Sequence, residues 1–304
     1  MSILPLLLLT LAPAGAKVVV NATEKADVRS PMPPGWDEVD GLHPRYVVFG
    51  ELHGTREAPA FVAQVVCALA ARGKRVLLAV EHPATEDEAL RKAWNLPERR
   101  FANALFRTAW TFSNDGRDSR AMFDMIVRLQ RLKTRGAAIS ITSFNGMRDE
   151  AQEARWAHLP SQGPHEAAQA ENIRIAEARG TYDLVIVLAG NFHASRLALD
   201  RGAGRLDTMA NHLARSGLTI SLNMRSSGGT AWNCSTKPDV HYEVGRPLPP
   251  DALECADFPY RDRPDLHRPR YIHIGALPGE KVTPDFDGFF WLGETSGSAP
   301  KKKQ

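Results

Sequence analysis

Three short stretches of the chain carry residues that bind metals or move protons. Gly50-Glu51-Leu52-His53-Gly54 follows the apolar run Tyr46 to Phe49, Glu81-His82 follows Val76 to Val80, and Gly190-Asn191-Phe192-His193 follows Leu184 to Leu188. Imidazole nitrogen and carboxylate oxygen together suit one divalent transition metal such as zinc, manganese or cobalt. A His-Glu-His set leaves a coordination position for water, which the ion acidifies into a nucleophile. The candidate ligands are His53, Glu81 and His193. Glu51, on the turn with His53, is the candidate general base, or a further ligand if the turn folds inward. Arg56 stands at the entrance of the next helix, where free N–H groups favour an anion, and is the candidate for steadying a carboxylate or an oxyanion. The bland alternative pairs Glu81 with Arg56 or Arg75 and leaves both histidines as helix caps. His43, His158, His165 and His267 lie in polar stretches and read as surface residues.

The elements that must position these groups follow from apolar periodicity. Helices are predicted over 58–71, 85–95, 97–110, 119–135, 165–178, 194–199 and 206–215, with Thr85 and Glu88 as a capping box for the second. Strand candidates at 46–49, 76–80, 138–142, 184–188 and 218–222 alternate with them. That rhythm predicts an α/β fold with a mostly parallel central sheet and helices on both faces. The carboxyl ends of parallel strands share one edge, where open α/β sheets place their ligands. The repeated Gly-x-x-His lets the backbone turn sharply and aim a histidine back over the sheet. Beyond residue 225 the rhythm stops and an irregular C-terminal extension is expected, with edge or late strands at Val240–Val244 and Tyr271–Ile274 and a tail from Trp291. No GxGxxG, P-loop or GxSxG is placed to make a nucleotide site or a nucleophile elbow.

Composition bounds the partners. The first sixteen residues carry no charge, run apolar through Leu6 to Leu9 and end in Ala14-Gly15-Ala16, the pattern of a cleaved secretory signal, too short to span a bilayer. Residues 17–295 then read as a single α/β domain with its core at 46–223, followed by a flexible basic tail, 296–304. No later segment is apolar enough to span a membrane. Lys301, Lys302 and Lys303 account for the formal charge of +3, so the body is neutral and lacks the basic stripe of a nucleic-acid binder. Cys234 and Cys255, in polar surroundings, are expected to pair in an oxidising compartment, while Cys67 reads as a buried thiol.

The segments VVFGELHGTREAPAF, LLAVEHP and IVLAGNFHASR resemble a superfamily that joins ChaN-like haem-uptake proteins, erythromycin esterases and Tiki metalloproteases. The family pattern of paired Gly-x-x-His elements with an intervening strand-end Glu falls on Gly50 to His53, Glu81, and Gly190 to His193. Gly-Glu-Leu-His-Gly-Thr-Arg-Glu is similar to the esterase version except that the His comes one residue sooner, the spacing of the haem-uptake and Tiki groups. Glu171 to Ala176 resembles a haem-uptake segment that begins with Arg and carries Met fifth; here Glu171 and Ile175 stand instead.

The resemblance implies a metal-assisted hydrolytic site in some relatives and haem binding in others. The expected function is a secreted or periplasmic metal-dependent hydrolase acting on an ester or amide bond in a small molecule or peptide. The alternatives are a haem- or metal-binding uptake protein, with Tyr182, Tyr242 or Tyr260 as axial candidates, and an exported structural or interaction protein with an inactive site. N-terminal sequencing of exported material is expected to read from Lys17; a mature chain that keeps Met1 refutes the leader.

Overall fold

Continuous apolar runs in the predicted strands demand a sheet covered on both sides, and the computed structural model has one. It describes residues 31–108, 110, 114–200, 205–238, 240 and 252–301, so the leader lies outside the described residues. Helix α1 (Trp36–Asp40) precedes β1 (Tyr46–Glu51), and α2 (Glu57–Ala71) returns the chain to β2 (Val76–Pro83). A 3-10 turn (Ala84–Glu86), α3 (Asp87–Trp94), α4 (Glu98–Arg107) and α5 (Arg120–Thr134) lead to β3 (Ile139–Asn145). Then come α6 (Glu150–Trp156), α7 (Gly163–Glu177), β4 (Leu184–Gly190) and the single turn α8 (Asn191–Ala194). The pair β5 (Leu199–Asp200) and β6 (Arg205–Leu206), α9 (Met209–Ala214) and β7 (Thr219–Arg225) complete the regular part. The C-terminal region adds β8 (Gly229–Thr236), β9 (Leu253–Tyr260), β10 (Tyr271–Ile274) and β11 (Gly288–Trp291).

Seven strands form the central sheet in the order β10-β11-β7-β1-β4-β2-β3. Every neighbouring pair is parallel except β10 with β11. Side-chain alternation divides the core by face. Val47, Phe49, Leu78, Val80 and Ile186 pack against α2 and α5, through residues such as Phe61, Val65, Ile126 and Leu129. Tyr46, Val48, Leu77, Ala79 and Val187 pack against α7 and α9, through Ala170, Ile173, Met209 and Leu213. The register sets Glu51 level with Gly190, and Gly50 level with Ala189 and Asn223. Both Gly-x-x-His turns therefore leave the sheet at the same height, on adjacent strands.

Several expectations give way to local chemistry. Thr85 does not cap a helix: the chain makes the 3-10 turn, and α3 starts at Asp87 without a side-chain cap. The helix expected at 97–110 ends at Arg107, and that expected at 194–199 stops at Ala194, with Leu199–Asp200 pairing instead with Arg205–Leu206. Helix α6 lies between the strand expected at 138–142 and the helix expected at 165–178, in a polar stretch where no element is predicted. Asp149 caps it, accepting from the Gln152 N–H at 2.8 Å.

The core also reaches beyond residue 223. Gly288–Trp291 is a fully buried strand alongside β7 rather than the edge of a tail, and the Phe290 ring lies 5.2 Å from Phe49 and 5.5 Å from Phe61. Strands β8 and β9 form a hairpin in which Cys234 faces Cys255 in register and is disulfide-bonded to it, while Cys67 is buried in α2. Most of the strand expected at Val240–Val244 lies outside the described residues. Residues 296–301, expected as a flexible tail, are bonded at nearly every step: Ser296 N–H to Glu57, Ser298 N–H to the Gly54 carbonyl, and Lys301 N–H to the Asp118 carbonyl. Among the described residues no helix is long and apolar enough to cross a membrane.

Asp87 ties α3 to β3. Its carboxylate accepts from Thr142 Oγ1 at 2.7 Å and the Ser143 N–H at 3.1 Å, and pairs with Arg179 at 2.6 Å and Arg91 at 3.0 Å. Burial opposes its charge, but Arg179, Thr142, Arg91 and the Ser143 N–H outweigh that and lower its pKa. A lowered carboxylate stabilises the fold above the ordinary aspartate range and loses that contribution as pH falls through its folded value. Asp87→Asn is expected to cost about 3 kcal/mol at pH 7. Denaturant titrations of wild type and variant should converge as pH drops below the usual aspartate range.

Candidate active site

Glu81 is the meeting point of the centre. It extends from β2 just past Val80, where the register with β3 shifts, and is 4% exposed. Its Oε2 accepts the Gly190 N–H at 2.7 Å and lies 3.4 Å from His53 Nε2. Its Oε1 faces His193 Nε2 at 3.6 Å and the Arg117 guanidinium at 3.7 Å. Each imidazole meets a second carboxylate through its other nitrogen. His53 Nδ1 is 3.0 Å from Glu51 Oε1, and His193 Nδ1 is 2.7 Å from Glu166 Oε1. The carboxylates lie deep, with side-chain exposures of 2%, 4% and 0% for Glu51, Glu81 and Glu166, while His53 and His193 are 20% and 17% open. Two carboxylate–imidazole arms thus converge on one central carboxylate, with the rings toward solvent.

The backbone explains how the arms reach. Gly54 has φ 79°, and a Cβ there would sit 1.9 Å from the Trp232 carbonyl oxygen, so only glycine turns the chain at this point. The Gly54 carbonyl is fixed by the N–H groups of Trp232 at 3.0 Å and Ser298 at 2.7 Å. Gly190 has an ordinary φ of −57° and is glycine for space: a Cβ would come within 2.9 Å of His53 Nε2. Glu166 is held by the Met209 N–H at 2.9 Å, which ties α7 to the start of α9. Asp115 grips the Arg117 side chain at 3.0 Å through Nε and 2.6 Å through Nη2.

Electrostatics follow from this packing. Burial opposes ionisation of Glu81, but His53 above all, with His193 and the Gly190 N–H, holds its pKa well below the usual carboxylate range. Burial likewise opposes charge on His53, yet Glu81 and Glu51 raise it to about 10. His193 is raised against burial by Glu166 and Glu81. Burial pushes Glu51 upward, Glu81 adds to that, and His53 offsets part of it. Glu51 Oε2 is buried without a hydrogen-bond partner among the described residues. Burial and Arg117 lower His82 to about 4, so it is neutral beside Asp118 at 3.3 Å and stacks on Trp110 with ring centres 4.3 Å apart.

Glu51, His53, Glu81 and His193 are therefore brought together, and Arg56 is not. Arg56 is exposed and its Nε donates to the Gly297 carbonyl at 3.0 Å, because the C-terminal segment runs across the start of α2. Arg117 holds the position expected of it. Glu166 and Arg117 escape sequence reading. A buried acid among Ala167, Ala168 and Ala170 was the available signal for Glu166, whereas the polar loop around Arg117 offers none. His165 is not a plain surface residue: its ring is 5.9 Å from that of His193 and half-buried. His165, Glu166 and His193 also bring donor atoms within 4.8 Å of one another. Both Glu166 oxygens are already engaged, and His165 Nε2 meets Gln169 at 2.9 Å, so this set is the outer support of His193 rather than a second centre. Glu171 accepts from Trp156 Nε1 at 2.7 Å and from Gln152 at 3.0 Å, which fastens α6 to α7.

Gly190→Ala tests the geometry. The added methyl displaces His53 from Glu81 without straining the backbone, so the raised His53 pKa, followed by NMR titration, should fall while the thermal midpoint moves little. An unchanged His53 titration would show that the methyl leaves the His53–Glu81 contact in place.

No protein-family model and no curated protein matches the sequence. Among solved structures, the chain is similar to erythromycin esterase EreC in its open conformation, with 12% identity, a TM-score of 0.56, and 87% of this chain and 95% of that one covered. It is also similar to a succinoglycan biosynthesis protein, with 12% identity, a TM-score of 0.55, and 92% of this chain and 100% of that one covered. A Bacillus cereus protein matches with 11% identity, a TM-score of 0.52, and 92% and 93% of the two chains covered. Similarity at this level concerns the path of the chain: the protein shares the fold of these three structures.

Proposed function

We propose that the chain is an exported, metal-assisted hydrolase of an ester or amide bond in a small molecule or peptide. One observation carries the reading: both imidazoles rest their Nδ1 on a buried glutamate and turn their Nε2 to the same Glu81 carboxylate. Carboxylate–histidine pairs of this kind fix the ring and raise its basicity toward a metal. The donor set of two imidazole nitrogens and a carboxylate fits a divalent zinc, manganese or cobalt ion, held by His53, Glu81 and His193. Such an ion supplies Lewis acidity toward a carbonyl and lowers the pKa of water.

The remaining roles fall to the chain itself. Glu51 Oε2, buried and without a partner, accepts the proton of the attacking water, and burial raises its basicity for that task. Arg117, fixed by Asp115, faces the centre with a charge that steadies a developing oxyanion. Export is supported by the apolar leader and by the Cys234–Cys255 bond, which suits an oxidising compartment. The axial tyrosines of the haem alternative are placed otherwise. Tyr260 Oη bonds Thr295 at 2.6 Å and Ser226 at 3.0 Å, Tyr182 precedes β4 at the opposite edge of the sheet, and Tyr242 lies outside the described residues.

Metal content after dialysis against a weak chelator and re-addition of zinc, manganese or cobalt is the test. His53→Ala and His193→Ala should each lower metal affinity at least 10-fold. Glu51→Gln should retain the ion and lose on the order of 100-fold or more in kcat. Equal metal content in wild type and both histidine variants removes the ligand assignment. A saturable, one-to-one Soret shift on adding haem would move the reading to uptake.

A further inference from the structure

A cavity of about 700 Å³ opens beside the carboxyl-terminal half of β7 and the segment that leads into β11, lined among others by Asn223, Arg225, Arg263, Glu280 and Phe286. It reaches the end of β1 that carries Glu51. Asn223 is the register partner of Gly50, and a Cβ on Gly50 would lie 3.4 Å from the Phe286 ring. Two walls of the cavity thus touch the residue that precedes Glu51. A volume in this range suits a ligand of drug-like size.

The far wall is built around a buried guanidinium. The Arg225 side chain is 14% exposed and its guanidinium lies 4.1 Å over the Phe289 ring. Its Nη1 is 2.8 Å from one oxygen of Glu280, and Arg263 Nη1 is 2.6 Å from the other, so one carboxylate is shared by two arginines. Arg225 Nε is buried and has no hydrogen-bond partner among the described residues, and neither has Asn223 Oδ1. Asp287 does not supply the missing charge, because Arg196 and the Ser221 N–H hold it at 2.8 Å each. Lys281 and Asp285, which also line the cavity, offset each other in charge.

We propose that this cavity receives the remote part of the substrate and that Arg225, aided by Arg263, recognises a carboxylate on it. The substrate class is then an ester or amide bearing a second, free carboxylate; this assignment of class rests on the hydrolase reading above. A carboxylate bonds a guanidinium side-on through Nε and a neighbouring Nη, and the Nε edge is the one that lacks a partner. Asn223 lies on the same face of β7 two residues nearer the centre, roughly 7 Å back along the strand, and its Oδ1 accepts an N–H or O–H from the ligand. Glu280, bonded at Nη1, leaves the Nε edge open but opposes a second carboxylate there by like charge.

Calorimetric titration of the full chain with succinate tests the site without any turnover. Succinate should bind one-to-one, Arg225→Gln should weaken it at least 10-fold, and Glu280→Gln should tighten it several-fold by removing the competing charge. Glu280→Gln leaves the buried arginine intact, so it decides the question if the Arg225 variant fails to fold; weaker binding by Glu280→Gln overturns the proposal. Inorganic phosphate that binds more tightly than succinate, with the same dependence on Arg225, overturns the carboxylate assignment. In a second arm, kcat/KM for 4-nitrophenyl hemisuccinate should exceed that for 4-nitrophenyl butyrate, and the preference should collapse in Arg225→Gln. Arg225-dependent succinate binding with turnover of neither ester keeps the carboxylate site and removes the hydrolase. Equal turnover of both esters, with succinate binding indifferent to Arg225→Gln, does the reverse.

Discussion

A charged carboxylate almost out of reach of water is the constraint to which the rest of the centre answers. Burying Glu81 alone would cost several kcal/mol. His53, His193, Arg117 and the Gly190 N–H offset that cost, and they come from three separate segments of the chain. Removing any one leaves a buried charge under-compensated. The parallel register matters for the same reason, because it sets Glu51 beside Gly190 and lets the two histidine turns meet over the end of β2. The centre is a property of the sheet edge more than of any one loop.

A second layer keeps the imidazoles from wandering. Glu166 reaches His193 from α7 and is itself held by the start of α9, so two helices on one face of the sheet converge on a single ring. On the other side, Asn114 accepts from Trp232 Nε1 at 2.9 Å, which secures the loop that carries Asp115 and Arg117 to the disulfide-bonded hairpin. Gly116, with φ 93°, packs so closely on Gly54 that a Cβ would sit 2.5 Å from the Gly54 nitrogen. Shape, as well as charge, therefore sets where Arg117 stands.

What the sequence made legible was whatever repeats or carries an apolar run. The strands at Tyr46, Val76 and Leu184, the helices α2, α5 and α7, and the four polar residues at the strand ends all have such signals. The missed elements lack them. Gly288–Trp291 is four residues long and follows a polar stretch, so nothing in its spacing separates a buried strand from a tail. The β8–β9 hairpin has mixed polarity because it covers the edge of the site rather than the core. Arg56 was a better candidate than Arg117 by proximity in sequence. The choice between them is made by tertiary contacts with Gly297 and Asp115, which no local pattern encodes.

The order in which the chain is synthesised gives the late strand and the terminal segment a further meaning. The turn that carries His53 is fixed by Ser298, Arg56 N–H bonds the Ser296 carbonyl, and α5 begins with Arg120 N–H on the Ala299 carbonyl. Strand β11, between β7 and β10, also comes from the last part of the chain. A nascent chain that stops short of residue 288 can form β1 to β4 and their helices, yet it lacks the contacts that hold the first histidine turn. The centre is thus held in its final form only once the segment 288–299 has been made and has folded back across the first histidine turn.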